Sequence, residues 1–189
     1  YHGNRIERIR TANGDYSPEQ VVLAAGSWSA SLAGDLPFAL PVQPAKGYSV
    51  TFENPGVELK HPLIMAEARA GVNPMGTTIR VAGTLEMTGI DLAINMRRVK
   101  AVVGKVGDYL DGIDEDLALQ NPWCGMRPCT PDGLPVIGTP AAVSNLILAT
   151  GHAMLGMTLG PGTGKLVADL ACEREPSLDP VPYSPARFQ

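Results

Sequence analysis

Basic runs, long apolar runs and matched cysteine pairs are all missing from this sequence. Its 15 Lys and Arg stand against 19 Asp and Glu, a net charge of −4, and the cations do not cluster. Nucleic-acid binding needs a concentrated basic footprint, so that class is excluded. Gly and Pro break the nearly uncharged stretches before any reaches the length of a membrane-spanning helix. No secretory signal opens the chain. The three cysteines, Cys124, Cys129 and Cys172, are odd in number. The spacing of the first two suits no zinc knuckle, which needs a tighter pair and a second pair elsewhere. Reduced thiols in a cytosolic protein are the expectation. A triphosphate-binding loop is absent too: Leu159 stands five places before Gly164, and Leu166 follows Lys165, so both ends of the pattern fail. The first residue is Tyr1 rather than Met, which reads as a cut N-terminus.

What is present is globular. The 189 residues are 44% apolar and 18% charged, enough for one domain or parts of two interleaved ones. The 21 Gly and 17 Pro fall between short apolar runs, which predicts many strands and turns. Arg5 to Arg10 alternates as a strand with one wet face, and Asn13-Gly14 is a hairpin signal. Val21 to Ala25 reads as a strand buried on both faces. A Pro-rich connection, Pro37 to Pro44, leads to alternating segments at Gly47 to Phe52, His61 to Glu67 and Thr77 to Thr84. Asp91 to Leu110 has helical spacing, with Ile94, Val99, Val102, Val103, Val106 and Leu110 on one face and Asp91 as cap. A short helical turn is expected over Asp114 to Leu119. Leu134 to Gly138 and Leu146 to Thr150 are further short strands. Thr163 to Glu173 is a helix, and Pro176 to Pro185 a weakly ordered tail.

Three segments could carry chemistry. In the first, the strand Leu146 to Thr150 runs into a glycine-dense turn, Gly151 to Gly164, that opens a helix. Helix starts present unpaired N–H groups and a positive dipole end, which suit an electron-rich ligand edge. If helical, Gly156, Gly160 and Gly164 line a bare stripe where a flat ligand or a neighbouring backbone can approach. The same features serve tight helix–sheet packing. In the second, Gly125 to Gly138, two prolines and two glycines ahead of the strand (Pro128, Pro131, Gly125 and Gly133) stiffen a loop around Arg127, whose guanidinium could clamp a carboxylate or pair with a structural acid. In the third, the strand Val21 to Ala25 ends in small residues at its carboxyl edge, where open α/β sheets bind ligands.

Taken together, Val21 to Trp28, Lys46-Gly47-Tyr48, Ile79 to Glu86, Gly125 to Gly138 and Gly151 to Gly164 resemble the D-amino-acid oxidase superfamily of flavoproteins. The likeness is strongest to the small subunit of bacterial D-amino-acid dehydrogenase and to glycine oxidase. It implies a mixed α/β fold: part of a glutathione-reductase-type FAD-binding domain, interrupted by an antiparallel substrate domain. The implied divisions are 1–36 and 123–175 for the FAD-binding domain, 37–122 for the substrate domain and 176–189 for the tail. Ala25, Gly26 and Trp28 would lie at the dinucleotide, and Gly151, His152, Leu155, Gly156, Met157 and Thr158 at the flavin ring. Arg127 would hold the substrate carboxylate, with Tyr48 near the same pocket. The implied cofactor is FAD and the partner a small amino acid or amine, in the cytoplasm or peripheral to the inner membrane. Two departures stand out. No Gly-x-Gly-x-x-Gly turn follows a strand, and the family's Gly-His-Gly is Gly151-His152-Ala153 here. The first departure implies a missing half of the site. Val21 to Ala25 and Leu146 to Thr150 would then be uncovered, and the chain would pair with that half or with itself. A non-catalytic subunit that needs a partner chain is the alternative reading.

Overall fold

The computed structural model describes residues 1–53, 56–113 and 121–188, so the turn expected over 114–119 lies outside the described residues. The chain divides into two compact units: residues 1–44 with 127–189, and residues 45–126.

The first unit is built on a three-stranded sheet, ordered β3 (Val21–Leu23), β10 (Leu146–Thr150), β9 (Val136–Gly138). β3 and β10 run parallel, with Leu146 beside Val21 and Leu148 beside Leu23, while β9 is antiparallel to β10. The cluster Val136, Val143, Leu146 and Leu148 forms the core, and Leu36, Phe38, Leu40 and Phe188 pack on it. Each such aliphatic side chain contributes about 1.5–3 kcal/mol by leaving water. A hairpin, β1 (Ile9–Thr11) and β2 (Gly14–Tyr16), pairs Thr11 with Gly14, so the two-residue loop is Ala12-Asn13 and Gly14, at φ 124°, opens the return strand. Ile6 is not part of a strand. The Asn145 side chain stands in for a neighbour, accepting from Ile6 N–H at 2.8 Å and donating to Ile6 C=O at 3.0 Å.

Three expectations for this unit change. β3 was expected to be buried on both faces, but it has one neighbour and Val22 is 45% exposed. Leu146 to Thr150 was expected to be uncovered, yet β10 is the central strand, and Leu146, Ile147, Leu148 and Thr150 are all buried. The tail is folded rather than loose: short 3-10 turns at Val181–Tyr183 and Pro185–Phe188 bring Pro185 to a buried position and Phe188 against the core.

The second unit is a five-stranded sheet, ordered β5 (Leu63–Met65), β6 (Ala70–Met75), β7 (Thr78–Met87), β4 (Gln43–Glu53), β8 (Pro122–Cys129). The last three residues of β8 belong to the first unit. The helix α2 (Met96–Gly107) covers this sheet by burying Val99, Val103 and Val106 against Tyr48, Val50, Val72 and Val81. A shorter helix, α1 (Ser29–Leu32), precedes it in the first unit. α2 starts later than Asp91 because Asn95 caps it, its side chain accepting from Arg98 N–H. Asp91 instead receives the buried Lys46 ammonium at 2.6 Å. That bond, more than any other influence, raises the Lys46 pKa and lowers that of Asp91. The bulge between β4 and β7 sets Thr84 and Leu85 opposite Gly47 alone, with Thr84 at φ 70°. Among the described residues no helix is long and apolar enough to cross a membrane.

Candidate functional site

The parallel pairing of β3 and β10 brings two of the three sequence segments to one end of the first unit. Both strands end at the same edge, and both run on into turns there. After β3, Ala25 leads into a 3-10 turn, Gly26–Trp28, with Gly26 at φ 54°. A Cβ placed on Gly26 would meet nothing within 4 Å, so this backbone is open to a ligand. Trp28 stands 44% exposed beside it. The Thr150 hydroxyl donates to Gly26 C=O at 3.0 Å, and the Ser29 hydroxyl to Thr150 Oγ1 at 3.2 Å, tying the two strand ends together. Ser27 is buried, and its hydroxyl has no hydrogen-bond partner among the described residues.

After β10 comes Gly151, at φ 83°. An added Cβ there would lie 2.6 Å from Thr130 Cγ2 and 3.4 Å from Val136 N. Both backbone angle and space therefore require glycine. Ala153 follows at φ 46°, a conformation that costs an L-residue energy glycine avoids. Ala153 N–H donates to Pro128 C=O at 2.9 Å. His152 Nε2 and Thr163 Oγ1 are 2.8 Å apart. Burial lowers the His152 pKa, so the neutral ring is the favoured partner. The helix α3 (Gly156–Ala171) begins seven residues before the expected Thr163 and takes Pro161 inside it. Pro161 brings no N–H for the Met157 carbonyl. Leu155, Gly156, Met157 and Thr158 are exposed, Met157 at 94%, and nothing lies within 4 Å of a Cβ at Gly160, Gly162 or Gly164.

Arg127 is in a strand, not in the stiff loop expected around it. β8 is an edge strand, which is why it accommodates Pro122 and Pro128. The Ala153–Pro128 bond fixes the residue next to Arg127 against the turn after β10. Arg127 is half-buried, and burial lowers its pKa from the ordinary 12.5, although a guanidinium stays charged. Burial likewise raises the Cys129 thiol pKa and disfavours the thiolate, against the opposing pull of Arg127. Tyr48, in the second unit, is only 2% exposed, and its hydroxyl donates to Glu86 Oε2 at 2.8 Å while Arg98 pairs with the same oxygen at 3.2 Å. Desolvation, followed by that bond, raises the Tyr48 pKa.

The sequence reading missed Ser27, Ser29 and Thr150, whose signal is a hydroxyl at the carboxyl end of an apolar strand. It also missed the pairing of Asp132 with Arg187, for which no local signal exists.

These residues fit a flavin dinucleotide. An orphaned buried hydroxyl, an open glycine, a helix start and a bare apolar surface meet at the carboxyl edge of a parallel strand pair, where such ligands bind. The sequence profile described as FAD dependent oxidoreductase matches residues 1–170. An "Uncharacterized oxidoreductase in pyp 5'region" of Halorhodospira halophila is 40% identical over 187 residues, 97% of this chain and 84% of that protein. The D-amino acid dehydrogenase of Xanthobacter autotrophicus is 35% identical over all of this chain, which spans 45% of it. The crystal structure of glycine oxidase from Geobacillus kaustophilus superposes with a TM-score of 0.87 at 30% identity, over 96% of this chain and 49% of that one. The chain thus spans about half the length of these last two relatives. With a profile match over residues 1–170 on a mixed α/β fold like that of glycine oxidase, the chain belongs to the FAD dependent oxidoreductase family.

Proposed function

We propose that this chain provides the substrate anchor and the C-terminal part of the flavin site in an amino-acid oxidoreductase. The observation that carries this reading is the Ala153–Pro128 hydrogen bond, which locks a half-buried arginine strand to the turn at the open end of the β3–β10 pair. Relatives named D-amino acid dehydrogenase and glycine oxidase support an amino acid as the substrate class.

Arg127 receives the substrate carboxylate. A planar guanidinium carries parallel N–H donors that match a carboxylate, and Arg127 is half-buried. A carboxylate fixed in this way sets the direction in which the α-carbon faces. The N–H groups of Gly156, Met157 and Thr158 stand in the first turn of α3, where no intrahelical acceptor exists, and would donate to the electron-rich part of a bound flavin. Gly151, His152 and Leu155 shape that turn. Ala25, Gly26 and Trp28, with the Ser27 hydroxyl, hold the dinucleotide. Tyr48, in the second unit, is held in place by its bond to Glu86. FAD, when bound, supplies the two-electron acceptor with which an amine α-carbon is oxidised to an imine, later hydrolysed to keto acid and ammonia. No side chain of this set has to act as acid or base.

The remaining cofactor contacts come from polypeptide beyond these 189 residues or from a second chain, placed against the β3 edge and the exposed start of α3. In this reading the flavin domain corresponds to the first unit, residues 1–44 with 127–189, and the substrate domain to the second, residues 45–126. Three free thiols suit a reducing cytoplasmic setting, with peripheral contact to the inner membrane where a respiratory acceptor is used.

The test is anaerobic mixing of the flavin-loaded protein with single amino acids while the visible absorbance of oxidised flavin is followed. Bleaching by amino acids, and far less by the matching amines without a carboxylate, is expected. Bleaching by neither, or equally by both, contradicts the reading.

A further inference from the structure

The C-terminal tail takes no part in the chemistry above, yet it grips the loop that frames the site. Arg187 Nε donates to Asp132 Oδ2 at 2.7 Å and Nη2 to Asp132 Oδ1 at 3.3 Å, fork to fork. Nη2 also donates to the carbonyls of Leu134 and Pro135 at 2.9 and 3.1 Å. Nη1 donates to those of Tyr183 and Ser184 at 2.9 and 3.0 Å. The guanidinium lies 4.3 Å from the centroid of the Phe188 ring, and Phe188 is anchored in the core. The side chain is only 18% exposed, so these bonds compete little with water.

The gripped loop is the wall of the turn after β10. The position of a Gly151 Cβ is 2.6 Å from Thr130 Cγ2 and 3.6 Å from Pro135 Cα. Thr130 Oγ1 closes the loop on itself by donating to Leu134 C=O at 2.8 Å. From that turn, Ala153 N–H reaches Pro128, beside Arg127. The steps from Arg187 to Arg127 are hydrogen bonds, the close approach of Thr130 and Pro135 to the Gly151 backbone, and the covalent chain through Gly151–Ala153 and Pro128–Arg127, all within one unit.

We propose that Arg187 is a positioning residue for the oxidation: through the Asp132–Pro135 loop it sets the Gly151–Ala153 turn and the strand of Arg127. The proposal rests on the reading of that turn and of Arg127 as the flavin-facing and substrate-binding parts. Arginine is required because one rigid plane must serve a carboxylate and carbonyls on both sides. Lysine presents its three donors from a single point and cannot span them.

Arg187→Lys and Asp132→Asn test it, with Lys105→Gln, which removes an exposed pair on α2, as the control. In the first arm, NMR of the 189-residue chain follows the Ala153 amide and the Arg127 Nε–H. Arg187→Lys should move both signals and speed Ala153 amide exchange on the order of tenfold, while Val50 and Val103 amides in the second unit stay as they were. In the second arm, the flavin-loaded enzyme should show a raised KM for the amino acid but an unchanged KM for the matching amine. If Arg187→Lys does not fold, Asp132→Asn keeps the carbonyl contacts and carries the same readouts. Wild-type Ala153 and Arg127 signals in a variant whose Asp132 and Leu134 signals have moved overturn the positioning role, whatever the kinetics. Shifted signals with equal losses on both substrates leave the coupling standing and overturn the assignment of Arg127 instead.

Discussion

Gly151 and Ala153 both carry left-handed backbone in the turn after β10, and only one of them is glycine. The family's glycine would sit at Ala153 without strain. Replacing Ala153 with Gly relieves the steric cost but frees the unfolded chain, so the net gain is small, about 0.5–1 kcal/mol. A rise of about 2–4 °C in Tm is expected by calorimetry, and a fall would show that the Ala153 methyl is packed rather than strained. His152, between Gly151 and Ala153, is half-buried, and desolvation lowers its pKa. A base with a depressed native pKa is stable in its neutral form, so its contribution is complete above the unfolded value of 6.5 and shrinks as pH falls below it. His152→Gln should flatten the slope of Tm between pH 7 and pH 5 (on the order of one proton's worth); an identical slope would mean that the ring titrates freely. Asp132 behaves in the carboxylate sense. Its bond to Arg187 lowers its pKa from 3.8 to about 2, so its stabilisation is present above pH 3.8 and lost as the pH falls through about 2. At this scale the turn at Gly151 is legible because the glycines around it mark it, while the role of Arg127 rests on the proposed reading. Ser27, Thr150 and Arg187 were not legible, since what gives them meaning lies 55 to 124 residues away in the chain.

Elements were read well where one period dominates. The apolar face of α2 was visible in Val99, Val103 and Val106, but its first turn was not, because Asp91 is as good a cap as Asn95 until Lys46 is known to claim it. The Gly125 to Cys129 part of β8 reads as a loop because Gly125 and Pro128 read as breakers. They are tolerated at a sheet edge, a property of topology rather than of local sequence. β6 is not legible either, because Pro74 reads as a breaker; β6 lies between β5 and β7, but Pro74 stands beyond the residues that pair with β5. Gly83 on β7 illustrates what the sheet asks of α2. A methyl there would come within 2.9 Å of Val102 Cγ1 and 3.2 Å of Arg69 O. Gly83→Ala should therefore destabilise by about 1–3 kcal/mol through overpacking. Chemical denaturation should show a lower midpoint, and an unchanged midpoint would mean α2 can ride outward at no cost.

On the scale of the whole molecule, the family pattern was legible across nearly the entire chain, while the covering of the central strand was not. β10 is sheathed by β3, β9 and α3, so the surface left for association is the β3 edge and the exposed first turns of α3. On the proposed reading, in which these 189 residues hold only part of the cofactor contacts, the isolated chain should bind FAD weakly, since affinity depends on the whole preorganised set. Titration by flavin fluorescence should show no tight stoichiometric endpoint; a sharp one-to-one endpoint would mean the chain is a complete flavin site. The central claim, that Arg127 anchors the substrate carboxylate, is tested most directly by Arg127→Ala in the flavin-loaded enzyme, assayed with an amino acid and with the matching amine. Loss of a charge-assisted pair in a partly desolvated site costs on the order of 2–5 kcal/mol, a fall in kcat/KM of about 30-fold or more on the amino acid. The account predicts that fall with flavin content intact and the amine little affected; equal losses on both substrates would contradict it.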